Sequence, residues 1–126
     1  MSVDIKLVEQ LNHVVHFHGK GQLIQKMNGF EVYFKDDTYQ YCWKVYENGC
    51  MIHSKSEIDV FLTCRENHQT KGHIDSEYGR IDLLCHTLKY ELTENKVEVK
   101  YDLIQGQDRQ AFHFILYIKE DMTHVH

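Results

Sequence analysis

The sequence predicts an all-β fold: a single antiparallel meander β-barrel of about eight or nine strands, calycin-like in plan, occupying residues 1–126 as one domain. Three observations predict it. Apolar and polar residues alternate with period two along the whole chain, broken by turn signals at intervals of roughly 8 to 12 residues. The chain has no proline and no repeat or low-complexity run that would divide it. Two Asn-Gly pairs, Asn28-Gly29 and Asn48-Gly49, each sit between alternating runs, where hairpins turn. With 126 residues, 42% of them hydrophobic and 12% aromatic, the chain can bury one core and has too few residues for two. A meander of this many strands removes its exposed edges by closing on itself.

The elements follow in order. Val3, Ile5 and Leu7 alternate as an opening strand. Ile5, Val8 and Leu11 also fit helical spacing over 3–12, a competing reading weakened by the short segment and the missing cap. His13, Val15 and Phe17 alternate next. In QLIQKM-NG-FEVYFK a type I′ turn at Asn28-Gly29 pairs Met27 with Phe30, Gln25 with Val32 and Leu23 with Phe34, facing inward, and sets Lys26 opposite Glu31 outside. The same geometry at Asn48-Gly49 aligns Val45 with Ile52, puts Tyr39, Tyr41 and Trp43 on the inward face and leaves Lys44, Tyr46 and His53 outside. Ile58, Val60, Leu62 and Cys64 form a further strand. RIDLLCHTLKYEL switches phase, with Ile81, Leu83 and Cys85 on one parity and Leu84, Leu88, Tyr90 and Leu92 on the other, which predicts a bulge near Leu83-Leu84. Val97 to Leu103 and Phe112 to Ile118 are the last two strands, joined by the turn-like 106–109, and the tail 121–126 is expected to fray.

Charge and cysteine usage exclude several classes of function. Fourteen Lys and Arg against nineteen Asp and Glu leave a net charge of −5, which disfavours a nucleic-acid partner. No apolar run approaches membrane-spanning length, and MSVDIKLVEQ lacks the basic lead and apolar stretch of a secretion signal, so a cytoplasmic protein with no membrane partner is expected. Cys42, Cys50, Cys64 and Cys85 show no metal-knuckle or redox spacing and read as free thiols, with Cys42 and Cys50 on opposite faces of the second hairpin.

No motif commits the chain to a reaction, and no cofactor is expected. His16 and His18 share a strand face and could offer two zinc ligands, but lack a third and fourth. His124 and His126 repeat the spacing in the tail. Asp36-Asp37 and Glu120-Asp121 are paired carboxylates at turns and ends, where water solvates them, and Gly19-Lys20-Gly21 is too short for a phosphate loop. His86 sits on an apolar parity between Leu84 and Leu88, as a hydrogen-bonded core histidine or a polar group in a cavity wall. Its neighbour Cys85 points to the opposite face, which defeats a nucleophile-and-base pairing. The stripe Tyr39, Tyr41 and Trp43 reads either as core or as the aromatic wall of a small-molecule pocket. The three arginines, Arg65, Arg80 and Arg109, lie beside turns and strand ends and supply no buried carboxylate clamp.

HVVHFHGKG, NGFEVYF, EYGRIDLLCHT and VEVKYDLIQG, spread over residues 3–120, resemble the bacterial YwiB-like family, a domain of unknown function. Tyr78-Gly79 before an alternating strand, Thr87 in that strand and the Tyr101-Asp102 step are the most telling pieces. The resemblance implies a calycin-like, lipocalin-like barrel with no established activity or ligand. The chain departs from the family where an Arg-x-Gly step follows the second hairpin, having His53-Ser54-Lys55-Ser56-Glu57 there, and it lacks the Gly-x-Trp start of true lipocalins. The resulting expectation is non-catalytic binding of a small apolar or aromatic molecule in the barrel mouth, with Tyr39, Tyr41, Trp43 and His86 as ligand contacts. The alternative is an interaction or structural module whose barrel is filled. Oligomeric state is left open.

Overall fold

The period-two pattern resolves, in a computed structural model that describes residues 1–120, into ten antiparallel strands of one closed barrel. They are β1 (Ser2–Glu9), β2 (Val14–Lys26), β3 (Gly29–Lys35), β4 (Gln40–Tyr46), β5 (Gly49–Lys55), β6 (Asp59–Arg65), β7 (Gln69–Ser76), β8 (Gly79–Leu92), β9 (Lys96–Gln105) and β10 (Asp108–Glu120). Each strand pairs with its sequence neighbours, and β1 closes the ring by pairing with β10 from Val3↔Glu120 to Glu9↔Phe114. The helical alternative over 3–12 is excluded, because Val3, Ile5 and Leu7 are buried on one face of β1. Asp121, His124, His126 and the expected fraying of 121–126 lie outside the described residues.

The strand beyond the expected eight or nine is β7. Its sequence, QTKGHIDS, offers one large apolar inward residue, Ile74, with Thr70 and Gly72 below it, so no hydrophobic stripe announces it. It forms because β8 pairs along its whole length, from Gln69↔His86 to Ser76↔Gly79. On its other side β7 pairs with β6 over three positions only, Asp59↔Asp75, Val60↔Ile74 and Phe61↔His73. Below them the Thr70 hydroxyl, bonded to the Thr63 carbonyl, takes the place of a ladder bond.

Both hairpins form, with loops one residue earlier than the Asn-Gly pairs. Lys26 pairs with Gly29 and Tyr46 with Gly49, leaving Met27-Asn28 and Glu47-Asn48 as the two loop residues. Leu23 therefore faces Val32, Val45 faces Cys50, and Trp43 faces Ile52. The shift is a whole pair, so each residue keeps its face, and Cys42 and Cys50 remain on opposite faces as expected. Met27 is the exception: placed in the loop, it is 98% exposed instead of packed in the core. None of these loop residues has positive φ, so the turns are not type I′. The glycines are required for a different reason: a Cβ on Gly29 would overlap the Val45 carbonyl oxygen, and one on Gly49 the Cys64 carbonyl oxygen.

Two bulges set the remaining phases. One lies in β2 at His16, where Leu7↔Phe17 is followed by Val8↔Val15, and it turns Val15 outward, contrary to the alternation of His13, Val15 and Phe17. The other lies in β8 at Leu88, four residues beyond the expected Leu83-Leu84, between Thr87↔Tyr101 and Lys89↔Lys100. Leu83, Cys85, Thr87 and Tyr90 consequently face inward, while Leu84 and Leu88 face solvent; Leu92 shares the face of Tyr90 but is partly exposed at the strand end. The interior is filled: Trp43, Ile5, Leu116, Val3, Val32, Val45, Val97 and Val99 are fully buried in one continuous cluster.

Candidate functional site

The barrel end that carries loops 10–13, 36–39, 56–58, 77–78 and 106–107 is the mouth. Here β2 leaves β3, because their pairing stops at Gly21↔Phe34 while Val14–Lys20 continues along β1. The gap is a cleft of about 470 Å³ lined by Gly21, Phe34 and Tyr41, with Lys20, Tyr33 and Lys35 at its rim. Behind it stands an aromatic cluster. Phe34 stacks on Tyr41 with ring centroids 4.8 Å apart, and Phe17 meets Phe34 at 4.8 Å and Tyr41 at 6.3 Å. Tyr39 leans on Tyr41 from the β3–β4 loop at 5.8 Å. That loop is held by the Asp36 carboxylate, which accepts hydrogen bonds from the backbone N–H of Thr38 (2.8 Å) and Tyr39 (2.7 Å). Those N–H groups hold its pKa below the ordinary aspartate value. Burial, followed by the Asp36 charge, pushes the Tyr41 hydroxyl up to about 12, so it stays a neutral donor.

Three of the four expected ligand contacts thus form a gradient of depth. Tyr39 is 40% exposed at the rim, Tyr41 is 8% exposed behind the cleft, and Trp43 is 1% exposed in the core. The Trp43 Nε1–H is buried with no hydrogen-bond partner among the described residues, a cost that a core tryptophan normally avoids. His86 does not join them. With the bulge at Leu88, its parity on β8 is outward, opposite Gln69 on β7 and Asp102 on β9, so it is neither a core histidine nor a cavity group.

Other polar groups were not legible as a set. Glu9 follows Val3, Ile5 and Leu7 on the inward parity and is buried. Burial alone would raise its pKa, but hydrogen bonds from the backbone N–H of His113 (2.9 Å), Asn12 (2.9 Å) and Leu11 (3.1 Å) outweigh it and hold the carboxylate ionised. Glu98, the third residue of β9, behaves alike on the outer face. Its desolvation is outweighed by His113, whose Nε2 lies 2.6 Å away, and by Lys89 at 3.4 Å. Inside, Cys50 and Cys64 are cross-strand partners, and the Cys64 and Cys85 sulfurs lie 3.7 Å apart as thiols. The Cys50 thiol pushes Cys64 well above the ordinary cysteine range; contact with Cys64 and then burial do the same to Cys85. Such protonated, buried thiols are poor nucleophiles. His16 lies in the β2 bulge against Phe114, and no group of three or more metal-ligating side chains occurs among the described residues. Nor do these hold a helix long and apolar enough to cross a membrane.

The comparisons with known proteins agree with this architecture. The crystal structure of the ywiB protein from Bacillus subtilis superposes with a TM-score of 0.64, covering 95% of this chain and 90% of that one at 15% identity, a likeness of fold alone. No curated protein matches the chain. The family model described as a domain of unknown function (DUF1934) matches residues 2–116, nearly the whole barrel, and the chain belongs to that family.

Proposed function

We propose that this barrel is a non-catalytic binding protein for a small apolar or aromatic molecule, seated in the mouth cleft against Phe17, Phe34, Tyr39 and Tyr41. The observation that supports it is the stacked pair Phe34 and Tyr41 in the wall of the cleft between β2 and β3, backed by Phe17 and Tyr39: an aromatic wall with Lys20, Gln22, Lys35 and Gln40 around it, the make-up of a small-molecule site with polar contacts. Trp43 lies behind the wall as a reporter, and His86 has no part in it. The filled interior confines the ligand to the mouth. The carboxylates best placed for acid–base work, Glu9 and Glu98, are engaged by backbone N–H groups or by His113 and Lys89, which favours binding over catalysis. Buried free thiols suit a reducing compartment, and we assign the protein to the cytoplasm.

Titration with a neutral aromatic probe, N-phenylnaphthylamine, should change Trp43 emission saturably. Tyr41→Ala should weaken its affinity about tenfold, since a stacked aromatic contact contributes about 1 kcal/mol beyond its area. His86→Ala should leave the affinity as it was. No saturable change with the probe or with a library of small aromatics would favour the second reading, an interaction module, to which the filled barrel lends weight.

A further inference from the structure

A second cleft, of about 300 Å³, opens in the outer wall where β6 and β7 part below Phe61↔His73. Its floor is Ile52 and Leu62, seen between the strands. Gly72 borders it where the strands still approach closely: a Cβ there would come within 2.6 Å of the Phe61 carbonyl oxygen and 2.9 Å of the Leu62 side chain. One wall is a stack of three rings across β5, β6 and β7: His53 and His73 cover the two faces of Phe61, with centroids 4.1 and 4.7 Å away and planes inclined by 14° and 27°. His53 Nε2 and Asp59 Oδ1 lie 3.9 Å apart, too far to bond, and both are buried with no hydrogen-bond partner among the described residues.

The rims carry the charge. Lys44 on β4 and Lys71 on β7 line the cleft, and among the described residues neither makes a salt bridge or hydrogen bond. Some other cations on the barrel do, since Lys89 and Lys96 share Glu98, Arg80 holds Asp75 and Arg109 holds Asp102; what sets Lys44 and Lys71 apart from the remaining unpaired lysines among the described residues is their place on an apolar cleft. Glu31, the acidic group near Lys44, is already bonded to the Tyr33 hydroxyl and paired with Lys26. Lys44 shares Glu31, its cross-strand neighbour, with Lys26, so the two ammonium groups beside this apolar, ring-walled slot are at most partly balanced and can meet an anion there.

We propose that this outer cleft binds a small organic anion with a flat aromatic body, the body lying over Ile52 and Leu62 against the Phe61 stack and the anionic group reaching Lys44 or Lys71. The apolar floor selects against inorganic phosphate, and the absence of arginine from the lining selects against bidentate recognition. The volume sits at the lower limit of small-molecule pockets, about 300–1,000 Å³, and so sets the ligand's size at one or two fused rings.

The test is an amide-shift titration of the full chain with naphthoate, alongside its neutral counterpart naphthalenemethanol at matched ionic strength. Read at Thr63, Lys71, Gly72 and His73, which report the outer cleft separately from the mouth, naphthoate should give saturable shifts and the alcohol should bind about tenfold more weakly. The double variant Lys44→Gln, Lys71→Gln, altered at solvent-facing positions and so expected to fold, should reduce naphthoate affinity by a similar factor. Tyr41→Ala should leave it unchanged. Shifts centred instead on Gly21 and Gln40 at the mouth, equal affinity for the alcohol, or no saturable shift would each overturn the proposal.

Discussion

At the level of single residues, glycine shows how far a local rule reaches. Asn-Gly suggests a turn that needs positive φ, yet Gly29 and Gly49 are needed because a carbonyl oxygen of the next strand lies where a Cβ would be. Gly79 is the reverse: its φ of +117° is hostile to L-residues, while nothing lies within 4 Å of a Cβ built there. Gly29→Ala should therefore cost about 3 kcal/mol, the upper range for overpacking, and Gly79→Ala about 1 kcal/mol, the lower range for backbone strain. Urea unfolding checks the order, and equal costs would mean that the β3–β4 contact relaxes freely. Glu9 gives a second expectation. Its folded pKa lies below the unfolded value near 4.5, so its stabilisation is complete above that pH and is lost as pH falls through the folded value. Glu9→Ala should cost about 3 kcal/mol at neutral pH, since it strips a charged acceptor from several N–H groups at once. Glu9→Gln should flatten the acid limb of the stability–pH curve; an unaltered limb would assign acid sensitivity elsewhere. That Glu9 continues an inward stripe was visible in the sequence. Its partner His113 was not, because it lies more than a hundred residues away.

Among the strands, parity was readable and register was not. Burying Leu23, Val32, Trp43 and Val45 on one face needs only alternation, which survives a shift of one whole pair. Which pair closes each hairpin depends on contacts across the sheet, such as Gly29 against Val45, that no local pattern contains. Likewise the phase switch in β8 was legible as a bulge but not as one at Leu88, and the error reversed the face of His86. β7 was missed because pairing with β8 holds it, whereas a hydrophobic stripe would have marked it. The same feature yields a dynamic expectation. With three paired positions, against eight between β7 and β8, the β6–β7 seam is the weakest ladder in the ring. Amides of 62–65 and 69–71 should exchange through openings below the global unfolding free energy, while those of Val97 and Val99 should require global unfolding. Thr70→Val, which removes the hydroxyl bridging to Thr63, should lower stability by about 1 kcal/mol and speed exchange at the seam first. Uniform acceleration around the ring would show that the seam is no weaker than the rest.

For the barrel as a whole, closure decides how its parts share stability. Pairing of β1 with β10 joins strands from opposite ends of the chain and leaves no edge, so no strand can detach without exposing two others. The interior is one continuous cluster running from Val3 and Ile5 through Trp43 to Leu116, with no separable second core among the described residues. Both features favour a single cooperative transition, and the many long-range pairings make its folding slow for the size, on the order of milliseconds to seconds. The one weak ladder works against this, because a barrel that first opens between β6 and β7 becomes a curled sheet with two edges. The two routes are separable. Trp43 on β4, fully buried, reports the interior, while far-ultraviolet circular dichroism reports all ten strands. The two urea transitions should coincide, and a strong chelator should leave their common midpoint unmoved, because the ring is closed by backbone pairing and apolar packing. If Trp43 emission instead shifts at lower urea than the dichroism, the seam opens first, and the outer cleft over it is the hinge of that opening. A ligand of that cleft would then raise the fluorescence midpoint towards the dichroism one, whereas a ligand seated at the mouth would raise both together.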